Sequence, residues 1–370
     1  MRQKRVIGIL TWREGQRFSE PDYLRRLVKA GWKLGAEVYV FSHQDVNAKE
    51  RRIKGFTPKT GGGWESKSYS WPDVVIDRYR KRVPQYMKLR HSGLFDFANS
   101  PFSKKWRVTQ LLAEDERVSR WVPETHVYTT GKVIAMLRRH PLLYIKPGNG
   151  TGGRSILKVA AVGKQYQLQG RDKQYGKHQV RVANAAALEN WVKRWVTKQR
   201  ISDGNFLVQQ GLDLALMPNR VADVRLLIQK DGEGVWDVTG CGVRMGASGS
   251  STSNLHGGGK AIPFEAFMTK RFGDDSAQQI LNECHTMAHR IAHTLEERFG
   301  RMMEFGLDIG VDVSGRAWLI EVNPKPGREV FRQMGSMETY AEAIARPIKF
   351  ALYIARNGVG LPEKKIKGAG

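Results

Sequence analysis

Cysteine is almost missing from this 370-residue chain, which carries only Cys241 and Cys284. The two form neither a metal-ligand nor a redox spacing, so a disulfide framework is excluded and a reducing cytoplasm is the expected setting. No apolar run is long enough to span a bilayer, which excludes a helical membrane anchor within the chain. The basic opening, Met1-Arg-Gln-Lys-Arg-Val-Ile-Gly-Ile-Leu10, has too short an apolar run for a signal peptide and fits a first strand better. Acidic residues are scarce: 36 Asp and Glu stand against 61 Lys and Arg, a formal charge of +25. Such a field attracts polyanions and phosphorylated ligands. Yet the bases are spread through every segment, with no long Lys/Arg block and no nucleic-acid-binding motif spacing, which disfavours dedicated nucleic-acid binding. Repeats and low-complexity stretches are absent as well.

Several catalytic signatures are also missing. There is no G-x-x-x-x-G-K-[ST] phosphate loop and no kinase-type H-R-D or D-F-G element. His256-Gly-Gly-Gly259 invites an esterase oxyanion hole, but the required G-x-S-x-G fails, since Gly246-Ala-Ser-Gly-Ser250 ends in serine. His285, His289 and His293 recur at i, i+4 and i+8 on an expected helix. Two such histidines can bind zinc, but no further ligand is evident, and a polar helix face accounts for them. Glycosidases use two free carboxyls flanking a sugar, not a carboxylate pair with an amide beside it.

A length of 370 residues suits two or three domains, and 41% hydrophobic content is ordinary for a globular protein. Residues 1–100 alternate strands and helices: Val6–Leu10, Tyr23–Leu34, Val38–Phe41 and Asp73–Asp77, around a Lys59–Gly63 loop. That alternation argues for a partly parallel sheet. Further on, Ser103–Ala113, Ala185–Lys198 and Ser276–Phe299 fit helices. Leu142–Lys146, Ser155–Ala160, Asn205–Gln209, Val224–Gln229 and Val235–Thr239 fit strands, the last pair flanking an Asp231-Gly232 turn.

Three stretches carry chemistry. The first, Gly306 to Pro326, fits a β-hairpin turning at Ser314-Gly315. With a two-residue loop, Val313 faces Arg316, Asp308 faces Glu321, and Asn323 projects from the face of Glu321. Directly opposed carboxylates repel, unless a divalent cation sits between them; carboxylate and amide oxygens suit hard Mg2+. The second, Lys146-Pro-Gly-Asn-Gly-Thr-Gly-Gly153, satisfies G-x-G-x-x-G but joins two strands rather than a strand and a helix, so it does not fit a dinucleotide fold. Its glycines Gly148, Gly150, Gly152 and Gly153, with Thr151, let backbone N–H groups approach phosphate, and Lys146 adds a point charge. The third is the glycine-rich loop Asn254-Leu-His-Gly-Gly-Gly259, with Arg225 and Arg244 as candidate anion clamps on strands around it.

Taken in order, Phe102–Trp106, Lys146–Gly153, Val208–Leu212, Asp223–Arg225, Arg244, Asn254–Gly258, Asp308 and Glu321–Asn323 resemble the ATP-grasp superfamily, in its YheC/YheD-type, endospore coat-associated branch. Trp71–Arg78 extends the resemblance toward the N-terminus. It implies an α/β (α+β) ATP-grasp fold behind an N-terminal α/β domain at 1–100. A lid subdomain at 101–205 and a metal-bearing subdomain at 206–355 would follow; the residues of 356–370 fit a basic, mobile tail. It further implies an ADP-forming carboxylate–amine ligase using ATP and Mg2+, with Mn2+ as a substitute, in the cytoplasm of a spore former. In that scheme Lys105 and Lys146 contact ATP phosphates under the Gly148–Gly153 lid. Gln209, Gln210 and Leu212 form the hinge reading adenine, and Asp213 meets the ribose. Asp308, Glu321 and Asn323 hold the metal. Arg244 and Arg225 offset charge on the transferred group, and Asn254, Gly257 and Gly258 line the acyl-phosphate site. The resemblance names no substrates; the basic balance favours an acidic amino acid, peptide or other polyanion.

Overall fold

The structure is a computed structural model and describes residues 4–81, 83–148, 154–199, 205–218, 220–246 and 259–358. Three large sheets, besides a two-stranded hairpin of Arg13–Glu14 and Arg17–Phe18, divide the described residues. In the first, Val6–Leu10 lies between Glu37–Phe41 and Val74–Asp77, parallel to both. These strands are apolar almost throughout because helices or strands cover them. Helix Pro21–Lys33 packs close enough that a Cβ on Gly31 would meet Val38 Cγ2 at 2.2 Å. The hairpin Arg52–Pro58 and Trp64–Ser70 extends the sheet antiparallel around the glycine loop. Those two strands are partly polar and did not declare themselves by period.

A helix from the far end of the chain, Met337–Asn357, completes this first core. Its Ile344, Ile348 and Ala351 pack with Ile7, Val38 and Ile76. No element was expected there: Pro347 sits inside the helix, where proline ordinarily ends one.

The second sheet is antiparallel, in the order Lys177–Val182, Gln165–Arg171, Ile156–Val162, Leu142–Pro147, Phe206–Gln210, Thr125–Val127. Helix Ala185–Gln199 lays Leu188, Val192 and Trp195 on it. Strand Phe206–Gln210 is thus internal to this sheet, beyond a boundary at 205. The third sheet is also antiparallel: Lys260–Pro263, Trp236–Met245, Ala222–Lys230, Glu304–Val311, Ala317–Asn323. The long helix Asp274–Phe299 buries Ile280, Met287, Ile291 and Leu295 against it and stops at Gly300, whose φ is +84°. Helix Lys105–Glu114 adds Val108 and Leu112 to this third core, although it precedes the second sheet in the chain.

The first and third bodies are bolted together by buried charge. Glu304 opens a strand of the third sheet and is 2% exposed. Arg78, just past the first sheet's Val74–Asp77 strand, donates to its Oε1 at 3.0 Å, and Arg328 and Gln229 donate to its Oε2. Arg78 also reaches Glu20 at 3.0 Å. Removing the anion from such a cluster leaves guanidiniums uncompensated in low dielectric, at a cost of about 3–5 kcal/mol. Glu304→Ala is therefore expected to lower unfolding free energy by about that amount in urea titration; a loss below about 1 kcal/mol would show the bolt to be dispensable.

Candidate active site

The hairpin places Asp308 opposite Glu321, as expected, but by another route. The turn is three residues, not two: the Asp312 N–H donates to the Arg316 carbonyl at 3.0 Å, and Gly315 takes φ +87°. Val313 therefore does not face Arg316. The ladder runs Val311 with Ala317 and Ile309 with Leu319, until a bulge at Ile320 absorbs one residue and restores Asp308 to Glu321. The longer turn and the bulge cancel. Two residues further along the ladder, Gly306 faces Asn323. A side chain at Gly306 would strike Pro326 Cβ at 2.6 Å and crowd Arg225 Nη1 at 3.2 Å, so glycine is what lets the Pro324–Pro326 segment fold back.

Charges alternate across this face of the sheet. Arg244 is opposite Asp223, and Arg225 is opposite Asp308. Arg244 grips Asp223 with two hydrogen bonds of 2.7 and 2.5 Å and touches Asp308 Oδ2 at 3.1 Å. Burial alone would pull the Arg244 guanidinium down, but Asp308 and Asp223 outweigh it and hold it charged. Arg225 Nη2 stands 2.7 Å from Asp308 Oδ1, yet that buried oxygen accepts no hydrogen bond. The two arginines expected near the Asn254 loop thus converge on Asp308. Asp223, which orients Arg244, was not singled out as a site residue; its facing position on the adjacent strand carried the signal.

Two lysines from other parts of the fold feel the charge of Glu321, and one of them pairs with it. Lys105, the first residue of helix Lys105–Glu114, lies 2.6 Å from Glu321 Oε1. Lys146 comes from the second sheet, its Nζ donating to Gln209 Oε1 at 2.7 Å, while Gln209 Nε2 donates to Thr125. Burial pulls the Lys146 ammonium down to about 8, with Glu321 resisting and Lys105 assisting. Gln209 thus acts through its side chain as the seat of Lys146. In the hinge that follows, the Gln210 N–H donates to the Glu124 carbonyl and the Gly211 N–H to Leu142. The Leu212 carbonyl accepts from the Leu214 N–H, and exposed Asp213 accepts from the Ala215 N–H. Gly148 begins the glycine loop, its N–H donating to Asn205. Gly150, Thr151, Gly152, Gly153, Asn254, Gly257 and Gly258 lie outside the described residues.

The histidine stripe sits apart, on helix Asp274–Phe299. Burial lowers the pKa of His285 and His289, and among the described residues no group of three or more His, Cys, Asp or Glu side chains is arranged to hold a metal ion.

Residues 94–354 match a family described as YheC/D like ATP-grasp. The chain belongs to that family. Its curated relatives include the endospore coat-associated proteins YheD and YheC of Bacillus subtilis (strain 168). Each is 26% identical to it over 353 residues. The matches cover 92% of this chain and 76% of YheD, and 90% of this chain and 93% of YheC. Among solved structures, D-cycloserine synthetase DcsG is similar at a TM-score of 0.52 and 12% identity, over 95% of this chain and 99% of that one. The ATP-grasp ligase PsnB, complexed with a phosphomimetic variant of a minimal precursor, Mg and ADP, is similar at 0.50 and 12%, over 93% and 99%. At these identities the structural likeness is one of fold: the three sheets form an ATP-grasp architecture with an N-terminal α/β unit. No described helix is long and apolar enough to cross a membrane.

The depressed Lys146 has a consequence for stability. Its ammonium is disfavoured in the folded state relative to the unfolded chain, whose lysine titrates near 10.5. The unfolded state therefore binds more protons between about 8 and 10.5, and stability contributed at this site rises with pH across that window. Lys146→Met is expected to flatten that part of the pH–stability curve in thermal melts, whereas an unchanged slope would place the titration elsewhere.

Proposed function

We propose that this chain is an ATP-dependent carboxylate–amine ligase that uses Mg2+, with Mn2+ as a substitute, and releases ADP. The observation that carries the proposal is the Lys105–Glu321 ion pair, which joins a helix to the carboxylate face of the third sheet. Lys105, from the helix after the first domain, pairs with Glu321, which faces Asp308 on the third sheet; Lys146, from the second sheet and held by Gln209, is a second cation attracted to Glu321. Two cations gathered at a carboxylate pair suit a polyphosphate bridged by a divalent metal.

The donor set fits Mg2+. Asp308, Glu321 and Asn323 offer hard oxygens, and Asp308 Oδ1 is buried without a hydrogen bond. Three protein ligands are few, which matches an ion that completes its shell with water and substrate phosphates. When bound there, Mg2+ would neutralise phosphate charge and align the transferred group.

The chain's own residues would then act as follows. Lys105 would leave Glu321 and, with Lys146, hold phosphate oxygens of ATP, with the Gly148–Gly153 loop closing over them. Gln209 keeps Lys146 in place, and the segment through Gln210, Leu212 and Asp213 borders the nucleoside. A substrate carboxylate oxygen attacks the γ-phosphorus and the bond to ADP breaks. Arg244, held rigid by Asp223, and Arg225 face the charge that develops. An amine then displaces phosphate from the acyl-phosphate, loses a proton and leaves an amide, near Asn254, Gly257 and Gly258. No protein nucleophile is needed.

A second reading draws on the relatives' names: a coat-associated nucleotide-binding protein without turnover, located at the spore. Mg2+-dependent ADP release in the presence of carboxylates and amines separates the two. Glu321→Gln is expected to abolish that release while the melting temperature stays within a few degrees; full activity in the variant would refute the metal assignment. ATP binding at pH 8 is expected to take up protons, because phosphate favours the ammonium form of Lys146, which titrates near there. Calorimetry in buffers of different ionisation heat measures this, and uptake undiminished in Lys146→Met would contradict it.

A further inference from the structure

A cavity of about 710 Å³ opens between the first domain and the Asn323 end of the third sheet. That volume is ample for a small peptide-sized ligand. The cavity meets Asp77 at the carboxyl end of the first domain's parallel strand Val74–Asp77, where open α/β sheets bind ligands. Its other wall includes Lys105 and Asn323, so one end opens on the proposed reaction centre.

The charge around it is lopsided. Six lining side chains are basic, and two, Asp77 and Glu304, are acidic. The imbalance survives pairing. Asp77 alone serves Lys325, at 3.0 Å, and Arg90, at 3.4 Å, besides accepting from the Tyr86 hydroxyl. Glu20 and Glu304 together serve Arg78, Arg80 and Arg328. Each cluster has one more cation than anion. Lys81 adds another positive charge, 3.3 Å from the centre of the Trp12 ring. Arg80 links the clusters, since it grips Glu20 and also donates to the Lys325 carbonyl at 2.8 Å. Burial pulls the Arg90 guanidinium down, as it does a cation short of a counter-charge. The phosphates of ATP would answer the surplus at Lys105 and Lys146. They do not answer the surplus on the first-domain side, which calls for a second anion.

We propose that this cavity receives an acidic acceptor, an amino acid or short peptide. Its activated carboxylate would lie at the Asn323–Lys105 end, and a spare carboxylate would be held at the Arg80–Lys81–Lys325 end. The activation step rests on the ligase reading above; the charge preference of the cavity does not. Hydroxylamine serves as a general amine, since it converts an acyl-phosphate to a hydroxamate and frees phosphate. With full-length protein, Mg2+, ATP and hydroxylamine, a Glu-Glu dipeptide is expected to exceed Gln-Gln in kcat/KM by about tenfold or more, the scale of one charge-assisted contact. Lys81→Met and Arg80→Met should each raise KM for Glu-Glu severalfold while leaving KM for ATP and the rate with Gln-Gln unchanged. Lys81→Met guards against misfolding, because Lys81 is exposed, whereas Arg80 takes part in the buried cluster. Gln-Gln matching Glu-Glu, or both variants leaving KM for Glu-Glu unmoved, overturns the proposal. If ATP is not turned over, equilibrium dialysis of labelled Glu-Glu against Gln-Gln decides. Selective binding that Lys81→Met weakens sustains the cavity assignment while the ligase reading fails, and no selective binding at millimolar peptide overturns it.

Discussion

Glu304 is the carboxylate on which the arrangement depends. It is cut off from water between Arg78 and Arg328, and a buried anion in that position tolerates little displacement of its partners. Because Arg78 continues the first domain's Val74–Asp77 strand and Glu304 begins the strand that carries Asp308, one ion cluster fixes the distance between two separate sheets. Four residues further along that strand lies Asp308, and along the other flank of the cluster lies the interdomain cavity. Helix Met337–Asn357 reinforces the join by burying its apolar face in the first domain after the chain has completed the third. The cavity and the carboxylate face are thus held in register by the same strand.

Electrostatic frustration runs through the site. Asp308 and Glu321 face each other across a ladder, an arrangement that would repel if left bare. In the structure each is met by cations: Arg225 and Arg244 at Asp308, Lys105 at Glu321. Lys146, short of water, sits with its ammonium only partly compensated. Such a set of groups gains most by accepting a highly charged ligand with its own counter-ion, which is the physical basis for reading it as a nucleotide and metal site. The surplus of cations on the first-domain wall extends the same logic to a second, organic anion.

Much of this was legible in the chain. The alternation around Asp308 and Glu321 encodes their common face, because side chains on strands have a period of two, and Asn323 follows from the same period. Lys146 was legible as part of a strand, and the structure has it in Leu142–Pro147. Other parts were not. The turn was read one residue too short, and only the bulge at Ile320 restored the expected pair. A bulge leaves no periodic mark of its own. The polar strands Gln165–Arg171 and Lys177–Val182 were missed because neither face is continuously apolar, and Met337–Asn357 because a proline interrupts it.

By itself the sequence determined which residues share a strand face, which loops are glycine-rich, and the excess of basic over acidic charge; all of these are local or compositional. Tertiary structure alone decided that Arg225 and Arg244 converge on Asp308, that Gln209 seats Lys146, and that Arg80, Lys81 and Lys325 share a cavity with Asn323. Those contacts join residues tens to hundreds of positions apart. Their geometry follows from sheet order and from the buried Glu304 cluster, neither of which has a local signature.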